Sequence, residues 1–332
     1  MSIVRGQRLR VSLTAKCPLR CGFCHGDGNT HPSKHTKDKQ IHIDDVISVI
    51  ALAAKRGFST VRFTGGEPGA YPSFVKLMEV LPRLQKEHPS IVKWALTTAA
   101  LPFRQKEKFE ALANSALTDI AISVDSVEAG ELSRPSSPVG IPGEEVFCQV
   151  VEPLMRRFSG PIKINVVFDG NPTRTKNVIR RARQLGLNVT VLQVNGIMGQ
   201  VHHVNDSFVQ LRRDVIEEFG LIEQHCDSLN EDYLYDHSGR QLMKFYPDHC
   251  GANRECRICG DLDVRVIPVD GVLGIVPCYE QDQGHTVPLL VNGEASLERF
   301  DEGLKFIGIG PEWSRGTAYE QRHVPGSTSF AA

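Results

Sequence analysis

Seven of the nine cysteines in this 332-residue chain fall into two groups. Cys17, Cys21 and Cys24 form a C-x3-C-x2-C run near the start, and Cys250, Cys256, Cys259 and Cys278 gather near the end. Cys148 and Cys226 stand apart. Core cysteines scatter; short internal spacings at two places read as two metal sites. Three thiolates on one short loop can hold three irons of a 4Fe–4S cube and leave the fourth iron open to a small ligand. Zinc is the alternative, but a closed structural zinc site wants a fourth protein ligand, and only His25 is near. The late group, C-x2-C plus Cys278 with Cys250 to spare, fits an iron–sulfur cluster or zinc. Cys148 lies in an apolar helical pattern and is expected in the core.

Composition narrows the setting. Hydrophobic residues make up 41% and charged residues 23%, ordinary for a globular protein and incompatible with a disordered or collagenous one. Lys+Arg is 38 against Asp+Glu 39, so no global positive field draws in a nucleic-acid polymer. No apolar run approaches the ~18 residues of a membrane span, and the polar residues 1–8 do not resemble a signal peptide. The expected location is the cytoplasm, where thiols stay reduced and serve metals rather than disulfides.

The elements that must position these cysteines can be read from hydrophobic periodicity. Strand-like, β-branched runs lie at 8–13, 61–64, 92–97, 120–124, 162–167 and 189–194. Helical patterns lie at 44–55, 74–85, 106–114, 144–157 and 175–185, with Gly57 and Gly186 placed as helix stops. Six strand–helix repeats predict an α/β fold with a parallel sheet, too short for eight strands and so a partial (βα)6 TIM barrel over residues 1–200. Residues 201–332 are expected to form a second, loop-rich domain. A linker is predicted at 199–206, a helix at 208–219, and a hairpin at 264–269 and 272–276 turned by Asp270-Gly271. The tail 311–332 has no pattern.

The cysteine loop after the first strand, with Phe23 just before its last cysteine, resembles the radical S-adenosylmethionine (SAM) superfamily. A second mark is Gly65-Gly66-Glu67-Pro68 after the second strand, which resembles that family's GGEP motif. Ser123-Val124-Asp125-Ser126 resembles its S-x-D-S segment near SAM. The resemblance implies a 4Fe–4S cluster on Cys17, Cys21 and Cys24 that chelates SAM. It implies reductive cleavage of SAM to a 5′-deoxyadenosyl radical, and hydrogen abstraction from a substrate carbon. Gly65, Gly66, Glu67, Pro68, Phe23, Thr97, Ser123 and Lys163 are the implied SAM-binding residues, Lys163 toward its carboxylate. The glycine backbone is expected to meet the SAM ammonium.

Within the superfamily the chain is most similar to the GTP 3′,8-cyclase branch. Arg10 in the first strand, Arg62-Phe63-Thr64 before GGEP, Thr97-Thr98 and Ile162-Lys163-Ile164-Asn165 carry the likeness. It implies that Arg10, Arg62 and Arg265 bind an anionic substrate. It also implies a twitch/SPASM-like auxiliary domain with a second 4Fe–4S cluster on Cys256, Cys259 and Cys278. Cys250 is then a fourth ligand or a hydrogen donor to a substrate radical. The chain departs from the cyclase pattern at Thr60, where the branch has lysine, at 69–72, at Asp261 and Asp263, and at its Phe330-Ala331-Ala332 end. Positive charge is lost there, which predicts a nucleoside, nucleotide or sugar-like substrate in specialised natural-product biosynthesis. GTP cyclisation, peptide modification and a non-catalytic iron–sulfur regulator are the alternatives. An electron donor such as flavodoxin or ferredoxin is the implied partner.

Overall fold

The computed structural model describes residues 8–19, 21, 41–128, 143–193, 204–226, 231–246, 263–269, 272–276, 287–291 and 294–306. Six strands run in chain order: β1 (Arg8–Ser12), β2 (Thr60–Thr64), β3 (Lys93–Thr98), β4 (Asp119–Ser123), β5 (Ile162–Phe168) and β6 (Asn188–Gln193). Neighbours pair in parallel. Between them lie α1 (Ile43–Lys55), α2 (Phe74–Glu87), α3 (Lys106–Ala113), α4 (Gly143–Val146), α5 (Glu152–Met155) and α6 (Pro172–Gln184). All six predicted strands are present, with ends within two residues of expectation.

Strand alternation makes two different faces. In β5 Ile162, Ile164, Val166 and Phe168 are buried, while Lys163, Asn165 and Val167 between them are half-buried. Leu9, Val11, Val61, Phe63, Leu96, Ile120 and Ile122 join the first set and pack in one core with helix residues such as Val46, Ile50, Leu77 and Leu81. The opposite face carries polar and charged side chains, so only one side of the sheet is sealed by helices. Helix α1 shows how the sequence builds the covered side. Val46, Val49, Ile50 and Ala53 form its buried stripe, Asp44 and Asp45 sit in its first turn and Lys55 in its last. Gly57 ends it at φ +79°, and Gly186 at φ +73° follows α6, as their placement predicts.

Residues beyond 200 extend the same sheet at both edges. Helix α7 (Val204–Phe219) leads to β7 (Ile222–Cys226), β8 (Glu231–Tyr235) and β9 (Gln241–Tyr246). Strand β9 pairs in parallel with β6, and β8 and β7 follow antiparallel. Strand β10 (Asp263–Val269) pairs in parallel with β1, and β11 (Val272–Val276) and β12 (Val287–Pro288) continue antiparallel. A small ladder of β13 (Leu290–Val291) and β14 (Glu294–Ala295) precedes α8 (Leu297–Phe306). Among the described residues the main sheet is open, with the order β12-β11-β10-β1-β2-β3-β4-β5-β6-β9-β8-β7. Helix α8 returns to α1 through a two-point ion pair of Arg56 and Asp301.

Several expectations need correction. Residues 204–206 belong to α7, not to a linker. The region expected to be loop-rich holds three strands at 222–246, in which buried Leu234, Met243 and Phe245 alternate with Tyr233 and Lys244, and Phe245 packs on Phe208 of α7. The predicted helix 144–157 is three pieces, with a π-helical turn at Phe147–Val151. A π turn inserts one residue, which lets Glu144 and Glu152 both reach Arg181, at 2.8 and 2.6 Å. Cys148 is exposed, not core: it lies one turn after Glu144 on the polar side, its Sγ 3.5 Å from the Glu144 carboxylate, while Phe147, Val150 and Val151 face inward. The 264–269 and 272–276 hairpin is present; its Asp270-Gly271 turn, residues 199–203 and the 311–332 tail lie outside the described residues. No helix among the described residues is long and apolar enough to cross a membrane.

The chain leaves β4 and re-enters at Gly143 against Ser126. A Cβ at Gly143 would stand 1.7 Å from the Ser126 carbonyl oxygen. Gly143→Ala is therefore expected to destabilise by about 1–3 kcal/mol through forced backbone movement. Thermal melting checks it, and an unchanged midpoint would show that this approach is dispensable.

Candidate active site

The cysteine loop and the GGEP turn are physically one structure. Strand β1 runs on into Leu13–Lys16 and then Cys17, and the β2 strand end lies beside it. Leu13 N donates to Thr64 O (2.9 Å), Gly66 N to Thr14 O (2.7 Å) and Glu67 N to Lys16 O (2.8 Å). The two glycines are required by this approach. A Cβ on Gly65, whose φ is +138°, would meet Thr14 O at 2.6 Å; one on Gly66 would meet Lys16 O at 2.3 Å. Their smallness thus serves the contact with the cysteine loop, where the sequence suggested approach to a ligand. Cys17 and Cys21 are half-buried, and Leu19 N points at Cys17 Sγ (3.4 Å). The two thiols follow directly from the end of β1, so the donor chemistry of the described part of the loop fits an iron–sulfur cluster. Phe23 and Cys24, and the late cysteines Cys250, Cys256, Cys259 and Cys278, lie outside the described residues. Among the described residues no three His, Cys, Asp or Glu side chains converge as a metal site.

Glu67 is fully buried and works inside the protein. Its carboxylate accepts from Gly69 N (3.0 Å), from the Thr98 hydroxyl (2.5 Å) and from Ala99 N (2.7 Å). It caps the single turn opened by Pro68 and ties it to the end of β3. Thr98 Oγ1 in turn accepts from Ala100 N (2.8 Å), which holds Ala100 at φ +66°, an unusual backbone for a residue with a side chain. Burial raises the Glu67 carboxyl pKa, opposed by the bonds from Thr98, Gly69 and Ala99.

The ends of β4 and β5 are joined by a second, half-buried acid. Asp125 Oδ1 accepts from Val167 N (2.9 Å), and Val124 N donates to Asn165 O (2.9 Å). Burial lifts the Asp125 carboxyl to about 6, helped by Asp169 and opposed by the Val167 bond and Arg174. Ser123 and Asn165 stand in register on the polar face beside it.

Below this rim the polar face is cationic. Arg265, Arg10 and Arg62 occupy adjacent positions in one row across β10, β1 and β2. Arg62 and Arg265 are buried. The Arg62 guanidinium donates to Thr97 Oγ1 (3.0 Å) and pairs with Asp119 (3.3 Å), whose other oxygen holds Lys93 (3.1 Å). Arg62, which the resemblance assigned to an anionic substrate, has a buried ion pair with Asp119. Thr97, expected at SAM, has its hydroxyl on Arg62. Lys163 stands two residues before Asn165 on β5, about 6–7 Å farther from the strand end. Its ammonium is pushed down to about 8, first by burial and then by Arg62, Lys93 and Lys244, against the pull of Asp119. Lys93, Asp119, Asp125, Thr98 and Lys244 were not singled out from the sequence. Asp125 and Thr98 lay inside quoted motifs, whereas Lys244 sits on a strand that was read as loop.

These features agree with comparison to known proteins. The Radical SAM superfamily model matches residues 11–215. The chain belongs to the radical SAM superfamily. A GTP 3′,8-cyclase of Actinobacillus succinogenes is 33% identical over 270 residues, covering 75% of this chain and 74% of that one. One from Vibrio parahaemolyticus is 27% identical over 265 residues, with 75% of each covered. Among solved structures, Streptococcus suis SuiB bound to S-adenosylmethionine aligns with a TM-score of 0.61 at 15% identity, over 94% of this chain and 68% of that one. That identity speaks for a shared fold. Membership of this superfamily implies a 4Fe–4S cluster and SAM as cofactors.

These two acids give two tests. Glu67→Gln puts an amide donor against the Ala99 or Thr98 donor, so it should cut SAM cleavage at least tenfold and lower the melting point. Full cleavage activity would refute the clamp. Asp125 is different, because its folded pKa lies above the unfolded value of 3.8. The folded state then binds the proton more tightly, and stability falls as pH rises from about 4 to about 6 and is flat above. Asp125→Asn keeps an acceptor for Val167 N without the charge. It should melt higher than wild type at pH 7.5 by about 1–3 kcal/mol, a gain that vanishes near pH 4. An equal difference at both pH values would refute the buried charge.

Proposed function

We propose that this radical SAM enzyme abstracts hydrogen from an anionic, nucleotide-class substrate held on the polar face of the sheet. The observation that carries the reading is the adjacent Arg265, Arg10 and Arg62, with Lys163 on the next row. Arginine suits phosphate and carboxylate by its fixed fork of donors, lysine as a point charge. A 4Fe–4S cluster with SAM supplies reductive cleavage to a 5′-deoxyadenosyl radical; the chain's residues place, orient and shield the partners. Glu67 and the 65–68 turn hold the cysteine loop, Ser123 and Asn165 line the rim, and the arginines take the substrate's charge. Residues 1–200 act as a partial (βα)6 barrel. Residues from about 201 act as an auxiliary domain in which Cys256, Cys259 and Cys278, with Cys250 as ligand or hydrogen donor, hold a second 4Fe–4S cluster. A flavodoxin or ferredoxin is the electron donor.

The sequence argument for a specialised substrate rested on lost positive charge. Lys93, Lys163 and Lys244 supply charge from other strands, which supports a nucleotide over an uncharged nucleoside or sugar. GTP is accordingly the first substrate to test, as it is the one named for the curated relatives. A different nucleotide in a specialised pathway is the second reading, favoured by Thr60, Gly69–Pro72 and the acids at 261 and 263.

Anaerobically reconstituted protein is expected to hold about eight irons, and about four after Cys17, Cys21 and Cys24 are replaced by Ala. With SAM and reductant it should release 5′-deoxyadenosine. Cyclised product from GTP establishes the first reading. Turnover of another nucleotide but not GTP establishes the second. No SAM cleavage, or zinc in place of iron at the late cysteines, overturns the corresponding part.

A further inference from the structure

Residues 17–40 carry all three cysteines of the first group, and the 65–71 turn holds the chain on both sides of that stretch. On the near side Gly66 N reaches Thr14 O and Glu67 N reaches Lys16 O, just before Cys17. On the far side the Tyr71 hydroxyl donates to the carbonyl of Ile41 (3.0 Å), at the entry to α1. Tyr71 and Ile41 are only 1% and 2% exposed, so water does not compete for this bond. A buried ring alone could be phenylalanine. The hydroxyl adds one directed bond to backbone 30 residues away.

The turn that carries Tyr71 is itself well braced. Ala70 N donates to Glu67 O (2.8 Å), Tyr71 N to Pro68 O (3.0 Å) and Phe74 N to Tyr71 O (3.1 Å). The Lys108 ammonium donates to Gly69 O (2.7 Å) and ties α3 to the same turn. Burial pushes the Tyr71 phenol pKa up, opposed by Ser73 and helped by Asp45 and Asp44 of α1, so the group stays a neutral donor. Beside its acceptor, His42 O takes Asp45 N (3.2 Å) and opens α1. The stretch 69–72 is one of the places where the chain departs from the cyclase pattern, and here its side chain at 71 turns into the core.

Resting on the reading that Cys17, Cys21 and Cys24 hold the SAM-binding cluster, we propose that Tyr71 is a positioning residue for that cluster. Through its bond to Ile41 O, the turn that fastens the start of the cysteine-bearing stretch fastens its end as well. A stretch pinned at both ends to one braced turn has fewer arrangements than one pinned at a single end. SAM binding therefore depends on Tyr71, a residue outside the GGEP motif.

Tyr71→Phe removes one oxygen and keeps the ring. In anaerobically reconstituted full-length protein it is expected to keep the wild-type iron content and a cooperative melting transition. Its SAM affinity, read from the change that SAM titration makes in the EPR spectrum of the reduced cluster, is expected to fall about tenfold. A residue that served the fold alone would lower the melting point and leave that titration unmoved. A second measurement needs no variant. In wild type, SAM should slow amide exchange at 41–46 together with 66–71, two segments far apart in sequence. Should Tyr71→Phe fail to fold, this exchange decides. Wild-type SAM affinity in folded Tyr71→Phe, or exchange at 41–46 indifferent to bound SAM, overturns the proposal. Wild type that holds iron yet binds no SAM would instead overturn the cluster reading on which the proposal rests, and is told apart because the failure lies in wild type itself.

Discussion

The site depends on the backbone contact between the ends of β1 and β2. Gly66 N to Thr14 O and Glu67 N to Lys16 O fasten the segment that delivers Cys17 onto the segment that delivers the GGEP turn. The contact is close enough that neither Gly65 nor Gly66 can carry a side chain. A cluster-bearing loop is long and has little apolar surface of its own, so its position must come from a neighbour. Here the neighbour is a strand end already fixed by the parallel ladder. Glu67 extends the fastening to β3 through Thr98 and Ala99, so three successive strand ends are tied together. Burying a carboxylate costs energy unless donors surround it, and three donors surround this one.

The same sheet carries a second constraint on its open face. Arg62 and Lys93 share Asp119, and the Lys163 ammonium lies within its influence. Folding tolerates this because Arg62 keeps its ion pair and a hydroxyl contact, and because the Lys93 side chain is exposed. Like charges gathered on one face cost the protein stability when nothing offsets them. Asp125, whose burial lifts its carboxyl to about 6, bears a similar cost at the rim.

Residues beyond 200 complete the sheet at both edges. Strand β10 brings Arg265 beside Arg10, and β9 brings Lys244 beside Thr190. The charge lost at positions such as Thr60 is therefore offset by residues distant in sequence. That explains how similarity to cyclases that stops short of their charge pattern can coexist with a strongly cationic face.

The sequence by itself determined the six strands and their parallel order, since β-branched runs alternating with amphipathic helices allow few other arrangements. It also determined the chemistry, because C-x3-C-x2-C and GGEP are local patterns whose spacing survives in one dimension. It put Arg10, Arg62 and Lys163 on runs that are strands β1, β2 and β5. Only the tertiary structure decided what the glycines touch, that Glu67 faces inward, and that Cys148 is exposed. It alone put Lys93 and Lys244 on the face that carries Arg10 and Arg62. The reason is physical: registers between strands, the two ends of a sheet and the extra residue of a π turn depend on partners far along the chain, which no local spacing records.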